Sequence, residues 1–257
     1  MNLILFDHPG IRSNLLPLTF TRPVADIRVG SLTIAEKWER HFNSKPSYST
    51  QGYLSKKFLK KITADNLWIN GAVCPDEKLV AALRNLKLGD ALYKDSSVVA
   101  ARTQDDELPE IIEGKVTEYK DEIVLIEQPW KIFQYNGHQI RADFKLVTTN
   151  RKSAPIDDPH TRTYKKENIF LEEGVVLHAT ILNAENGPIY LGKNSQVQEG
   201  AIIRGPFALG EESIINMGGK MRADTTIGPF CKIGGEVSNS VLFGYSNKAH
   251  DGFLGNS

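Results

Sequence analysis

From Leu191 onward an aliphatic side chain recurs at every sixth position: Leu191, Val197, Ile203, Leu209, Ile215, Met221, Ile227 and Ile233. A helix repeats near 3.6 residues and a half-buried strand at 2, so neither produces this run. A fixed longer period is the mark of a stacked, solenoid architecture. Four residues after each aliphatic stand Ser195, Ala201, Phe207, Ser213, Gly219, Thr225, Cys231 and Val237, most of them small. Gly192, Gly210, Gly228 and Gly234 directly follow their aliphatics. A short strand, a tight turn and a small inward residue account for all three positions. Three hexads then close one triangular turn with the aliphatics piled inside. Phe207 is large for its position and is expected to turn outward, toward another subunit. Leu171 and Leu177 begin the coil-like spacing, and Asn183–Pro188 interrupts its phase.

The first 150 residues carry no repeat. Leu3–Phe6 reads as a buried strand, followed by an irregular stretch from Asp7 to Gly30. Ile34, Trp38 and Phe42 share a helical face, with Ser31 as the expected cap. Leu67–Asn70 reads as a strand. Pro75 and Asp76 open a helix with Leu79, Leu83 and Leu86 on one face, and Gly89 stops it. Ala91–Tyr93 and Val98–Ala101 flank a turn at Asp95-Ser96, and Ile123–Ile126 is a further strand. Trp130 is expected to anchor the core or a hinge. The alternation in Ile140-Arg141-Ala142-Asp143-Phe144 reads as one exposed strand face. The whole predicts an α/β domain over residues 1–155, a linker over 156–168 and a β-helix over 169–257. Phe253–Ser257 looks like the middle of a coil, and a solenoid needs a polar cap over its last layer. The chain is therefore expected to be a truncated form of its natural product.

Lys plus Arg and Asp plus Glu are 31 each, so the net charge is zero and no general attraction to nucleic acid or membrane follows. Lys56-Lys57 and Lys60-Lys61 read as a solvated helix face. Cys74 and Cys231 lack metal-ligand spacing and read as reduced, buried thiols. His8 reads as structural. No segment approaches a membrane span or a secretory leader, which makes a cytoplasmic protein the expectation.

The hexad run resembles the left-handed parallel β-helix of hexapeptide-repeat transferases. The tail Gly244-Tyr245-Ser246-Asn247-Lys248-Ala249-His250-Asp251-Gly252-Phe253-Leu254-Gly255 resembles the acetyl-transfer motif of the bifunctional N-acetylglucosamine-1-phosphate uridylyltransferase/glucosamine-1-phosphate acetyltransferase family. The stretch Leu18-Thr19-Phe20-Thr21-Arg22-Pro23-Val24-Ala25-Asp26-Ile27-Arg28-Val29-Gly30 resembles a divergent branch of sugar nucleotidyltransferases, often labelled glucose-1-phosphate thymidylyltransferase.

These resemblances imply nucleotide-sugar biosynthesis. In nucleotidyl transfer a sugar-1-phosphate attacks a nucleoside triphosphate, with Mg²⁺ and cationic side chains neutralising phosphoryl charge. Arg12, Arg22 and Arg28 are the candidate phosphate contacts. The chain departs from the family at its glycine-rich loop, where Asp7-His8-Pro9-Gly10 holds one glycine. It departs again at the metal-binding turn, where Asn70-Gly71 replaces a carboxylate; Asp76 and Glu77 are explained by the following helix. The alternative is acetyl transfer from acetyl-CoA to a sugar-phosphate amine, with His250 as base, Asp251 orienting it, and Lys248 and Tyr245 on substrate. Phe253 and Asn256 depart from that family's Tyr and Asp. Such β-helices act as homotrimers, so a homotrimer is implied. A third reading is a non-catalytic scaffold that binds sugar nucleotides.

Overall fold

The computed structural model describes residues 1–95, 97–109, 112 and 114–257. The chain divides into two compact units. One comprises Met1–Ile27 and Thr33–Pro129, and the other Arg28–Leu32 and Trp130–Ser257.

The first unit, the head, is built on a mixed six-stranded sheet. Strand β1 (Asn2–Phe6) lies between β2 (Ser47–Ser49) and β3 (Asn66–Asn70), parallel to both. Its Leu3, Ile4 and Leu5 are fully buried, as a strand covered on both faces must be. A short pair, β4 (Val73–Cys74) and β8 (Val124–Leu125), stands apart from this sheet. Beyond β3 run β6 (Ser97–Thr103), β5 (Ala91–Lys94) and β7 (Val116–Glu118). β6 is antiparallel to β3, so the start of β6 lies beside the carboxyl end of β3. Ser96, in the expected turn, falls outside the described residues.

Among the described residues three α-helices accompany the sheet: α1 (Pro9–Asn14), α2 (Ile34–Phe42) and α3 (Glu77–Arg84). Helix α1 breaks the irregularity expected after Asp7. Helix α2 is capped by Thr33, whose hydroxyl accepts from Glu36 N while Glu36 accepts from Thr33 N. This reciprocal box satisfies two backbone donors at once, which is why the cap lies two residues past Ser31. Trp38 is completely buried and donates Nε1 to Val73 O at 2.9 Å. Asp76 caps α3 by accepting from Leu79 N at 2.8 Å. Lys56 and Lys57 stand on a run of turns, not a helix.

The second unit opens with α4 (Pro129–Thr148). The alternating strand face expected around Ile140 is therefore overturned, and Asp143 is buried. Trp130, expected to anchor the core or a hinge, is half exposed and stands at the chain boundary between the two units. Helix α4 falls on the head side of the boundary expected at 155, yet it belongs to the second unit. Asn136 and Asp143, seven residues apart on one helical face, bind the segment Arg28–Leu32. Asn136 Oδ1 accepts from Gly30 N and Thr226 Oγ1, Asn136 Nδ2 donates to Asp224 O, and Asp143 accepts from Leu32 N.

The rest of this unit is a left-handed parallel β-helix of about five turns with three sheet faces. The eight aliphatics of the hexad run are all buried in one core cluster. Phe207 also points inward and is fully buried, contrary to the outward turn expected of it. Its stacked partners are Ile189 below and Thr225 above, and the short Thr225 leaves the room its ring fills. Gly192, Gly210 and Gly228 form a seam where successive coils touch. A Cβ on Gly192 would lie 2.7 Å from Glu211 N, and one on Gly210 would lie 2.5 Å from the Gly228 carbonyl carbon.

Regular coils repeat after eighteen residues, as in Gln196–Ile214–Lys232. The last coil shortens, so that Lys232 pairs with Asn247 after fifteen, and Lys248 takes the place beside Ile233. In the segment expected to be a linker, Arg162–Tyr164 is the first strand of one face, and Ile156 packs on the core. Among the described residues no helix is long and apolar enough to cross a membrane, and both cysteines are buried and in no disulfide.

Candidate active site

In open sheets with parallel strands, ligands bind beyond the carboxyl ends, where the strand order reverses. The order β2–β1–β3 puts that point at the end of β1. A cleft of about 310 Å³ lies there. Phe6, Val98 and Leu108 form its apolar wall, and Asp7, His8, Ser49, Ser97 and Glu107 supply its polar groups. They come from the end of β1, the end of β2, the start of β6 and the loop after it.

Asp7 is the most constrained of these. Its Oδ1 accepts from Val24 N at 2.8 Å, its Oδ2 accepts from Thr50 Oγ1 at 2.5 Å, and Arg12 Nε stands 4.0 Å away. Burial pushes its carboxyl above the ordinary carboxylate range, opposed by Thr50, the Val24 N–H and Arg12. Asp7 thus ties the Arg22–Ala25 stretch to the end of β2. His8 caps α1 through Nδ1, which leaves Nε2 for the cleft. The Ser49 and Ser97 hydroxyls make no hydrogen bond among the described residues, and Glu107 pairs with Lys60.

The candidate phosphate contacts are placed differently from a phosphate cradle. Arg12 is buried, donating to Thr19 O at 2.7 Å and to Tyr53 Oη at 2.6 Å, while Tyr53 donates to Phe20 O. Its guanidinium fastens the Leu15–Phe20 loop. Arg22 is half-buried in the head and does not line the cleft. Arg28 belongs to the second unit, where it donates to Phe243 O and to Ser31 O. The sequence motif that joins Arg22 to Arg28 is therefore divided between the two units.

On the last coils, His250 and Asp251 are exposed and make no hydrogen bond to each other. Lys248 Nζ donates to Gly234 O, His250 O and Gly252 O, so all three of its N–H groups serve the coil. Tyr245 is exposed and stacks on Phe230, with ring centroids 5.0 Å apart and planes 5° apart.

The donor set does not fit a resident Mg²⁺. Asn70 cannot replace a carboxylate, and its Oδ1 already accepts from Ala72 N at 3.0 Å. Both Asp7 oxygens are engaged. No group of three or more His, Cys, Asp or Glu side chains among the described residues could hold a metal ion. Asp7, Ser49, Ser97 and Glu107 were not singled out from sequence. Only Asp7 carries a signal there, a carboxylate directly after a buried strand.

No curated protein matches the chain. A family model described as sugar nucleotidyl transferase matches residues 3–152, which span the sheet, the cleft and α4. With more than half of its length accounted for in this way, the chain belongs to the sugar nucleotidyl transferase family.

Proposed function

We propose that the chain works in nucleotide-sugar biosynthesis as a sugar-1-phosphate nucleotidyltransferase, of the glucose-1-phosphate thymidylyltransferase or uridylyltransferase kind. The supporting observation is the cleft at the carboxyl end of β1, inside the segment matched by the family model. In this reading a phosphate oxygen of the sugar-1-phosphate bonds to the α-phosphorus of the triphosphate as the bond to pyrophosphate breaks. His8 Nε2 and the Ser49 and Ser97 hydroxyls are positioned to orient the sugar, while Asp7 holds the cleft's rim in shape. The test is pyrophosphate release by the full chain with glucose-1-phosphate and thymidine or uridine triphosphate. Release above the uncatalysed rate supports the reading. No product from any pairing of common hexose-1-phosphates with the common triphosphates overturns it.

A second reading, binding of sugar nucleotides without turnover, is favoured by one observation: among the described residues no Lys or Arg lines the cleft, although transferring phosphoryl oxygens need such neutralisation. Thermal stabilisation by sugar nucleotides without pyrophosphate release distinguishes it. Acetyl transfer from acetyl-CoA by His250, and a homotrimeric stem, rest on the resemblance of the tail and repeat alone.

A further inference from the structure

We infer that the cleft recognises the hydroxyl groups of a sugar or ribose, and that it binds this part of its ligand without a divalent cation. The inference rests on the family reading above and names the chemistry that its site selects. A cleft built around a metal-bound phosphate chain offers carboxylates for the ion and cations or clustered N–H groups for the oxygens. Among the described residues this cleft offers no Lys or Arg side chain and no cluster of carboxylates able to hold an ion. Both oxygens of Asp7 accept internal hydrogen bonds, and Glu107 is paired with Lys60. Arg12 is buried and holds Thr19 and Tyr53. The residue that replaces the family's metal-binding carboxylate, Asn70, closes its own turn.

What does face the cavity is a set of neutral groups able to both give and take hydrogen bonds. Ser49 and Ser97 have hydroxyls with no hydrogen bond among the described residues, and His8 has a ring nitrogen left over from its capping role. A hydroxyl both donates and accepts, so it matches such partners, whereas a polyphosphate oxygen only accepts. Glu107 has a second carboxylate oxygen for a ligand hydroxyl. The apolar wall of Phe6, Val98 and Leu108 suits the C–H face of a sugar ring. The volume, about 310 Å³, is at the small end of ligand pockets and suits one ring better than a whole dinucleotide.

The test is isothermal titration of the full chain with uridine, thymidine and guanosine diphosphate hexoses, the matching diphosphates and the matching triphosphates, each in Mg²⁺ and in EDTA. At least one diphosphate hexose is expected to bind equally in both buffers and more tightly than its diphosphate. Ser97→Ala and Glu107→Ala are each expected to weaken it about three- to tenfold, the loss of one hydrogen bond. Binding that requires Mg²⁺, a triphosphate bound more tightly than every diphosphate hexose, or full affinity in both variants overturns this inference alone. Silence from every ligand in both buffers, with the chain folded by circular dichroism, overturns the sugar-nucleotide reading itself.

Discussion

The stem and the head solve the same problem of burial by opposite means. In the stem each coil repeats its predecessor, so one residue type at one spacing writes the whole core, from Leu191 to Ile233. In the head each element is buried once, by partners distant in sequence, and buried polar groups carry much of the specificity. Asp7 bridges to Thr50 and Val24, and Arg12 bridges to Thr19 and Tyr53. A repeated core tolerates little variation at any one position but announces itself. A unique core hides its logic in pairings that no local pattern encodes.

Substitutions put this contrast to the test. The largest effect is expected from Ile215→Ala, in the middle of a column, at about 2–5 kcal/mol of unfolding free energy, read by urea denaturation. A loss under about 1 kcal/mol would mean that neighbouring coils relax into the space, and the comparison of rigid columns with a unique core would fail.

Gly30→Ala follows. Gly30 has φ +78°, and an added Cβ would meet Asp143 Oδ2 and lie 2.8 Å from the Gln139 backbone. The expected cost is about 1–3 kcal/mol. Asn136→Leu removes the acceptor for Gly30 N and the donor to Asp224 O, at a similar cost of about 1–3 kcal/mol. Both variants should lower the melting temperature by amounts that do not add, because they loosen the same clasp.

Thr33→Ala in the capping box is expected to cost about 1 kcal/mol. The smallest component is the pH-linked one at Asp7, read with Asp7→Asn. The Asp7 carboxyl is raised in the folded chain, so the native state holds its proton more tightly than the unfolded chain does. Its contribution is present below the ordinary value of 3.8 and is lost as pH rises through the raised folded value. Asn cannot titrate, so unfolding of the variant followed from pH 3.8 upward should lack that component of the decline. An unchanged pH profile would show that Thr50, Val24 and Arg12 together cancel the burial.

How far the sequence could be read follows the same division. The hexad columns were legible because each side chain repeats its surroundings, and only Phe207 misled, since size alone could not reveal that Thr225 leaves it space. Helix α4 was not legible. Its inner face mixes Ile140 and Val147 with Asn136, Gln139 and Asp143, and those buried polar groups erase the apolar period that marks a helix. They are tolerated inside because the backbone of residues 28–32 satisfies two of them. The cleft was legible only as a strand end. Ser49, Ser97 and Glu107 join Asp7 through strand order, and strand order has no local signature. Arg12 and Arg28 carried the right charge for phosphate, but backbone carbonyls claim their donors.

The glycine seam also governs how this protein can acquire new length. At Gly192, Gly210 and Gly228 the backbones of adjacent coils lie too close to admit even a methyl group, so an insertion there would pry apart every layer above it. The corner at Asn183–Pro188 already carries extra residues, with Glu185 and Asn186 exposed, although its Gly187 is itself pressed against Pro206. Ile181 to Ile189 takes eight steps there, where Ile202 to Phe207 takes five, and the strands on either side keep their pairing. Grafted loops, reporter peptides or natural embellishments have their harbour between Glu185 and Asn186, and the opposite edge is closed to them.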